Sequence, residues 1–107
     1  MRTEPITLVA GVPKEVATIN TKDDQGSLYV DRVADLDDQG EITAGEVLVC
    51  FDRNSEISAD RYVLKLRKDD FYEIPEYVSG RLLMLSATDA RVMVAMRREG
   101  AFNEGAL

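Results

Sequence analysis

The chain contains no histidine and no tryptophan, and it has a single cysteine, Cys50. Without histidine it lacks the usual base of a Cys-His nucleophile pair and the imidazole cluster that holds many metal ions. One cysteine cannot form an internal disulfide, so the fold does not rest on covalent cross-links. Cys50 lies in the apolar run Val47–Phe51, where we interpret it as a small buried hydrophobe. The sequence therefore predicts a protein that is not an enzyme and needs no cofactor.

Long apolar runs and an excess of basic residues are also missing. No apolar run approaches the roughly 20 residues that span a bilayer, so we expect no membrane association. The first residues do not resemble a signal peptide, and we expect synthesis and folding in a cytoplasm. The net charge is −7, from 20 acidic and 13 basic residues. This balance disfavours direct binding to nucleic acid, because phosphate affinity comes from clustered lysine and arginine. The expected partner is another protein.

The length and composition are those of one soluble globular domain. Of the 107 residues, 45% are hydrophobic and 31% are charged, which argues against global disorder. Aromatic residues make up only 7%, so the core must be built from valine, leucine, isoleucine and methionine. Beyond Gly100 the sequence has no periodicity. We therefore predict a domain over residues 1–100 and a C-terminal tail over 101–107 that is flexible or ordered by a partner.

Short extended segments recur along the whole chain. Residues 62–67 and 91–97 alternate apolar and polar side chains, the period of a strand with one dry face and one wet face. Glycine, proline, asparagine and aspartate separate these segments at short intervals. This spacing predicts an all-β fold, specifically a single-domain antiparallel β-sandwich that is jelly-roll-like. The run Leu82–Leu85 does not alternate, so we expect both of its faces to be covered, one of them by a loop or by another subunit.

Two further predictions concern the segment around residues 26–33. Alternation places Tyr29 and Val33 on one face of the strand and Leu28 and Val30 on the other. Gly26 ends a polar turn, where it can take a positive φ.

One constellation of side chains has the spacing of a metal site. The segment Asp35–Glu46 matches an EF-hand calcium loop, with Gly40 at the sharp turn. Its ligand positions one, three, five, seven and twelve are taken by Asp35, Asp37, Gln39, Glu41 and Glu46. The flanking sequences are β-rich, however, whereas an EF-hand needs helices. The favoured interpretation is an acidic strand-to-strand turn in which Gly40 takes the left-handed conformation, and we assign no metal site.

Four aromatic residues lie close together in the sequence: Tyr62, Phe71, Tyr72 and Tyr77. Such a group is able to line a sugar pocket, which would make the protein a small carbohydrate-binding β-barrel. Packing in a core or an interface is the commoner use of these side chains, and we favour it here.

The order of segments resembles that of small virion proteins of tailed bacteriophages. The resemblance rests on Ile6–Pro13, Ser27–Val30 and Val47–Asp52, and it is strongest from Asp69–Pro75 through Gly80 to Val94. It implies a sandwich module of the decoration or cement type, found in the virion, that binds and stabilises the major capsid shell. Its implied partners are the major capsid protein and like subunits, as a homodimer or homotrimer. The alternative function is a calcium-binding regulatory module that uses the loop over residues 35–46.

In the decoration role, edge strands and terminal arms are expected to join a neighbouring sheet. The candidate contact segments are Pro5–Ala10, Leu82–Leu85 and Ala101–Leu107. The partner-binding residues predicted within them are Ile6, Leu8, Leu82, Leu83, Leu85, Phe102 and Leu107.

Overall fold

The computed structural model describes residues 2–20, 22–37, 39–41, 45–52 and 57–103. Nearly all of the regular structure in these residues is extended. The strands are β1 (Arg2–Leu8), β2 (Lys14–Ile19), β3 (Gly26–Asp37), β4 (Glu46–Asp52), β5 (Leu64–Arg67), β6 (Phe71–Glu73), β7 (Gly80–Ser86) and β8 (Thr88–Met96). Two short 3-10 turns, Lys22–Asp24 and Glu99–Ala101, precede β3 and follow β8.

The strands form two antiparallel four-stranded sheets. The front sheet has the order β1-β8-β3-β6 and the back sheet has the order β2-β7-β4-β5. The pairs β1·β8, β2·β7, β3·β6 and β4·β5 therefore all form, as when one long antiparallel ribbon is wrapped into two layers. That is the strand order of a jelly roll. The predicted all-β sandwich is confirmed.

The core lies between the two sheets and is aliphatic, as the composition predicts. In β8 every second side chain from Thr88 to Met96 is buried, while the intervening ones lie on the outer face or are half-buried. The facing side chains of the back sheet include Val47, Val49, Leu82 and Met84. Burying each such side chain stabilises the fold by roughly 1.5–3 kcal/mol, so this interface between the sheets provides most of the stability.

The strand β7 is covered on both faces, as its continuous apolar run predicts. Leu82 and Met84 face the core, whereas Leu83 packs with Cys50 and Ile57 in a second cluster on the outer face of the back sheet. Ile57 belongs to the connection between β4 and β5, so this cover is a loop of the same chain. Cys50 is only 4% exposed, which confirms that it is a buried apolar residue.

The predicted face assignment of β3 is correct on one side of a β-bulge and wrong on the other. Leu28 and Val30 are buried and Tyr29 is partly exposed, but Val33 packs against the core instead of sharing the outer face with Tyr29. The pairing with β8 shifts register between Val30 and Arg32. Because the extra residue reverses the alternation, Val33 turns inward.

Gly26 is needed for a reason that the sequence did not indicate. Positive φ angles occur at Gly11, Gly40, Gly45 and Gly80, but Gly26 is not one of these residues. It begins β3 opposite Met96, where a Cβ atom would lie 1.7 Å from the carbonyl oxygen of Ala95. Gly26 therefore does not use the positive φ that is open to glycine, and close approach of the β8 backbone selects glycine here.

The start of the predicted tail is packed against the domain. Ala101 and Phe102 are buried, and Phe102 forms a bridge with Ala17 of β2. The backbone N–H of Asn103 donates to the carbonyl of Val16 at 2.9 Å. The predicted domain boundary at residue 100 is wrong, since residues 101–103 extend the core and cover the edge of β2. Residues 104–107 lie outside the described part of the chain.

A buried ion pair fastens the turn before β3 to the segment after β8. Asp24 is 1% exposed, and its carboxylate accepts hydrogen bonds from the Arg98 guanidinium and from the backbone N–H of Asn20. The hydrogen bond from Arg98 to this carboxylate raises the pKa of the arginine. A buried carboxylate needs such partners, so the pair fixes the lower end of the sandwich, where residues 22–26 meet residues 96–98.

Replacing Gly26 by alanine should destabilise the protein strongly. The new methyl group would collide with the backbone of Ala95, which cannot move without disturbing β8. We expect a loss of more than about 3 kcal/mol in urea unfolding. Gly40→Asn is the matched control, because nothing lies within 4 Å of the Cβ position there. Asparagine tolerates a positive φ, so the control should cost about 1 kcal/mol or less. Equal effects of the two substitutions would contradict the close-approach explanation.

Phe102→Ala should lower the free energy of unfolding by about 3 kcal/mol, because it leaves a cavity under the C-terminal segment. The matched control is Phe71→Ala, since the Phe71 side chain is 64% exposed. That change should cost less than about 0.5 kcal/mol. If both variants melt like the parent protein, the C-terminal segment is not part of the core.

Candidate functional site

The acidic loop lies between two strands that belong to different sheets. Asp35 is in β3 of the front sheet and Glu46 begins β4 of the back sheet, so neither flank is the helix of an EF-hand. Gly40 has φ +83°, which confirms the predicted left-handed turn. The carboxylate of Glu46 lies 3.6 Å from Lys65 Nζ and 3.5 Å from Arg67 Nη2. The carboxylate predicted as a bidentate calcium ligand is therefore engaged by two cationic side chains.

Several members of the predicted calcium loop lie beyond what the structure describes, namely Asp38 and Ile42–Ala44, together with the side chain of Asp37. Gln39 and Glu41 lie in the turn and are exposed. Among the described residues, no three acidic or cysteine side chains come together as a metal site. Calcium binding by this loop stays a prediction.

Most of the side chains predicted to bind a partner are buried in the sandwich. Ile6, Leu8 and Leu82 are fully buried, and Phe102 packs at the margin of the same core. Leu83 is buried in the outer cluster of the back sheet, with Leu85 half-buried beside it. These residues stabilise the chain itself, and the buried ones present little or no surface to a partner in the folded chain. Their role in binding a partner stays a prediction. Leu107 lies outside the described residues.

The edges of both sheets are poorly suited to adding a neighbouring strand. The two edge strands of the front sheet are β1 and β6. Strand β1 contains Pro5, which has no N–H to donate, and β6 has only three residues. The two edge strands of the back sheet are β5 and β2. Strand β5 has four residues, and the outer side of β2 pairs with Phe102 and Asn103. Short, proline-containing or covered edges resist strand addition. Because β7 is a central strand, its backbone is also unavailable.

An apolar row crosses the outer face of the front sheet. Cross-strand pairing aligns Pro5 with Met93, Met93 with Tyr29, and Tyr29 with Phe71. We call these four residues the aromatic row. Phe71 is the most exposed member, and Tyr29 is 38% exposed. Alternation in β3 indicated that Tyr29 faces outward. Its pairing with Phe71 could not be read from the sequence, because the two residues lie some forty positions apart and the register between their strands is not a local property.

Tyr29 is held in place by the turn between β5 and β6. Its hydroxyl donates to Asp69 Oδ1 at 2.8 Å, and the backbone N–H of Asp69 donates to the carbonyl of Val30 at 2.7 Å. Asp69 has φ +71°, a left-handed conformation that aspartate tolerates. The hydrogen bond to Asp69 and the negative charge of that carboxylate raise the pKa of Tyr29 above its ordinary value of 10.0.

The four aromatic residues that cluster in the sequence do not share one pocket. Tyr72 stacks on Phe51, with ring centroids 6.0 Å apart, at the margin of the core. Tyr62 lies beside Lys65 of the back sheet, whose ammonium is 5.1 Å from the ring centroid. Tyr77 is 87% exposed in the turn after β6. Of these four residues, Phe71 lines a groove on the front sheet.

That groove lies at the lower end of the front sheet, and we call it the Gln25 groove. It has a volume of about 240 Å³. Its walls include Gln25, Ser27, Phe71, Glu73, Ile74 and Arg97. The side-chain nitrogen of Gln25 is buried and has no hydrogen-bond partner among the described residues.

A second groove lies at the opposite end of the front sheet, and we call it the turn groove. It has a volume of about 300 Å³ and is lined by Thr7, Leu8, Val9, Arg32, Asp89, Ala90 and Arg91. The two grooves are separated by most of β8, which runs from the pairing of Ala90 with Leu8 to that of Met96 with Arg2. At a rise of about 3.4 Å per residue, that length is about 20 Å.

The link between Tyr29 and Asp69 predicts a specific pH dependence. A raised tyrosine pKa means that the folded state holds the phenol proton more tightly than the unfolded state does. The resulting stabilisation is therefore complete below the ordinary tyrosine pKa of 10.0 and is lost as the pH rises from there through the raised pKa of the folded state. Subtracting the phenolate absorbance of Tyr29→Phe from that of the parent should show one tyrosine ionising late. Asp69→Asn should bring that ionisation back toward the ordinary value, and an unchanged titration would contradict the assignment.

Comparison with known proteins gives no relative for this chain: no family model matches it, nor does any curated protein or solved structure. Within the described residues there is also no helix with the length and apolar character needed to cross a bilayer. Proposals about function therefore rest on the geometry of the molecule itself.

Proposed function

We propose that this protein is a structural protein of a tailed-bacteriophage virion, which decorates the capsid shell and stabilises it by binding the major capsid protein. The supporting observation is the cluster of exposed aliphatic side chains beside an arginine-lined groove at one end of the sandwich. Jelly rolls occur in viral capsid proteins, but they also occur in lectins and cupins, so the fold alone does not decide between these functions.

The docking end consists of the turn between β1 and β2, the start of β8 and the last residues of β3. Val9, Val12 and Leu36 are each more than half exposed there. Single exposed aliphatic residues are ordinary, but three at one end of a small domain provide apolar contact area.

Hydrogen bonds hold this end in a defined shape. The backbone N–H of Gly11 donates to the carbonyl of Ser86 at 2.8 Å, and that of Ala10 donates to Asp89 Oδ1 at 2.9 Å. The turn is closed by the N–H of Val12, which donates to the carbonyl of Val9 at 3.0 Å. A pre-shaped turn loses less conformational entropy on binding than a mobile one.

The turn groove adds polar anchors next to these aliphatic side chains. Arg91 is fixed by Asp31, with Nε and Oδ2 2.8 Å apart. Arg32 pairs with Arg91 across the strands, and its guanidinium has no ion pair among the described residues. Arginine beside apolar contact area is typical of residues that dominate protein interfaces. A capsid surface that offers a carboxylate and an apolar patch fits this end.

In the proposed role the protein would stabilise the shell by mass action. A protein that binds only the assembled shell stabilises it in proportion to the occupancy of its sites. A capsid repeats the site many times, and self-association into a dimer or trimer allows one unit to clamp several capsid subunits. The protein contributes binding free energy and performs no chemical step.

The test is binding to capsids that lack this protein. The double variant Val9→Asp with Val12→Asp should bind at least about tenfold more weakly in co-sedimentation, because it places two charges in the apolar contact. It should also fail to restore the heat resistance of the capsids.

Val63→Asp is the matched control for that experiment, since Val63 is a similarly exposed valine located next to β5 of the back sheet. It should bind capsids like the parent chain. The proposal fails if purified virions do not contain this protein, or if the double variant and the parent bind capsids equally.

A further inference from the structure

We propose that the Gln25 groove binds a neutral sugar ring, at the end of the molecule opposite the docking end. The walls of this groove combine an exposed aromatic ring, one cationic group, one anionic group and a buried amide that lacks a partner. The inference goes beyond decoration of a shell, because it gives the outward end of the protein a small-molecule ligand.

Gln25 provides the observation that points to a ligand. Its side chain is 7% exposed and lines the groove, yet its Nε2 has no hydrogen-bond partner among the described residues. Nearly all buried polar side chains in proteins are satisfied by protein, water or ligand. The backbone around it is fixed, because the Gln25 carbonyl accepts a 2.7 Å hydrogen bond from the N–H of Arg97. The Nε2 atom lies just beneath the groove surface, so a rotation of the Gln25 side chain would bring it to a ligand hydroxyl, with no rearrangement of the backbone.

The charges in the groove favour a neutral ligand. Arg97 on one wall and Glu73 on the other are both exposed, and neither makes an ion pair with the described residues. An anion would be repelled by Glu73 and a cation by Arg97, whereas hydroxyl groups both donate and accept hydrogen bonds. The hydroxyl of Ser27, opposite Glu73 in the sheet, adds a group of the same kind.

Phe71 provides the apolar surface. Its ring is 64% exposed and is paired across the strands with Tyr29, whose orientation is fixed by Asp69. A hexose in its ring form has one face of C–H groups and a rim of hydroxyls. The C–H face of such a ring can lie on Phe71. Its hydroxyl rim can then reach Gln25, Ser27 and the two charged side chains, Glu73 and Arg97. A purely apolar ligand would leave the Gln25 amide unsatisfied, which is costly for a buried donor.

The aromatic row extends the platform beyond a single ring. Tyr29 and Met93 continue the apolar surface from Phe71 across β3 and β8. A longer glycan therefore has contact area beyond the groove, which a free monosaccharide would not use.

The test is a titration of the full-length, isotope-labelled chain followed by NMR. The probes are the methyl glycosides of glucose, galactose, mannose and N-acetylglucosamine, their linear trisaccharides, and inorganic phosphate. We expect saturable shifts of the Gln25 side-chain amide and of the backbone at Ser27 and Glu73 with at least one neutral sugar. Tighter binding of a trisaccharide would identify a glycan chain as the ligand, and equal binding would identify a single sugar unit.

Two variants make the assignment specific. Phe71→Ala should weaken sugar binding by about tenfold or more, and Gln25→Leu, which keeps the side-chain bulk, should do the same while leaving the melting temperature unchanged. Tyr77→Ala, which removes an exposed ring outside the groove, should bind like the parent.

The proposal is overturned if no neutral sugar gives a saturable shift, if phosphate saturates the same resonances more tightly, or if Phe71→Ala binds sugar as well as the parent does. Binding to capsids is measured separately through Val9 and Val12, so the failure of one proposal leaves the other standing.

Discussion

The structure depends above all on the pairing of β3 with β8 in the middle of the front sheet. The inward side chains of β8 form much of the core. Its outward side chains include Arg91 in the turn groove and Met93 in the aromatic row, and Arg97, directly after β8, lines the Gln25 groove. The pairing starts where Gly26 lets the β8 backbone approach, and the buried pair of Asp24 and Arg98 fixes the same end. A disturbance of this pairing would thus reach the core and both candidate surfaces together.

The closed edges explain why we propose recognition by the ends and the outer face. A small sandwich that left β1 or β2 free would be open to pairing with other copies of itself. Proline in β1 and the C-terminal segment over β2 remove this possibility and also remove strand addition as a means of binding a shell. The groups that remain available to a partner are therefore exposed side chains. The acidic surface, with its net charge of −7, adds general repulsion between copies and from nucleic acid, so specific contacts must come from local patches such as the turn groove.

Sequence reasoning predicted the fold class because alternation and turn residues are local properties. The buried positions of β8, the two-sided cover of β7 and the left-handed turn at Gly40 all follow from a few neighbouring residues. The errors arose where distant parts of the chain meet. The inward turn of Val33 depends on a bulge in the β3–β8 register, and the burial of Phe102 depends on β2, which lies more than eighty residues earlier. For the same reason the sequence did not predict either groove. Each groove is lined by residues from several strands, and the register between those strands cannot be read from a short stretch of sequence.

Burial also explains why most of the predicted contact residues lie inside the sandwich. A strongly apolar strand residue in a thin sandwich is used first to hold the two sheets together, as Ile6 and Leu82 are, and is then unavailable to a partner. The apolar residues left for binding are those that the core does not bury, such as Val9 in a turn and Phe71 on a short edge strand. A contact surface in a domain of this size is therefore better sought among apolar side chains in turns and on outer faces than among the most hydrophobic segments, because those segments are consumed by folding.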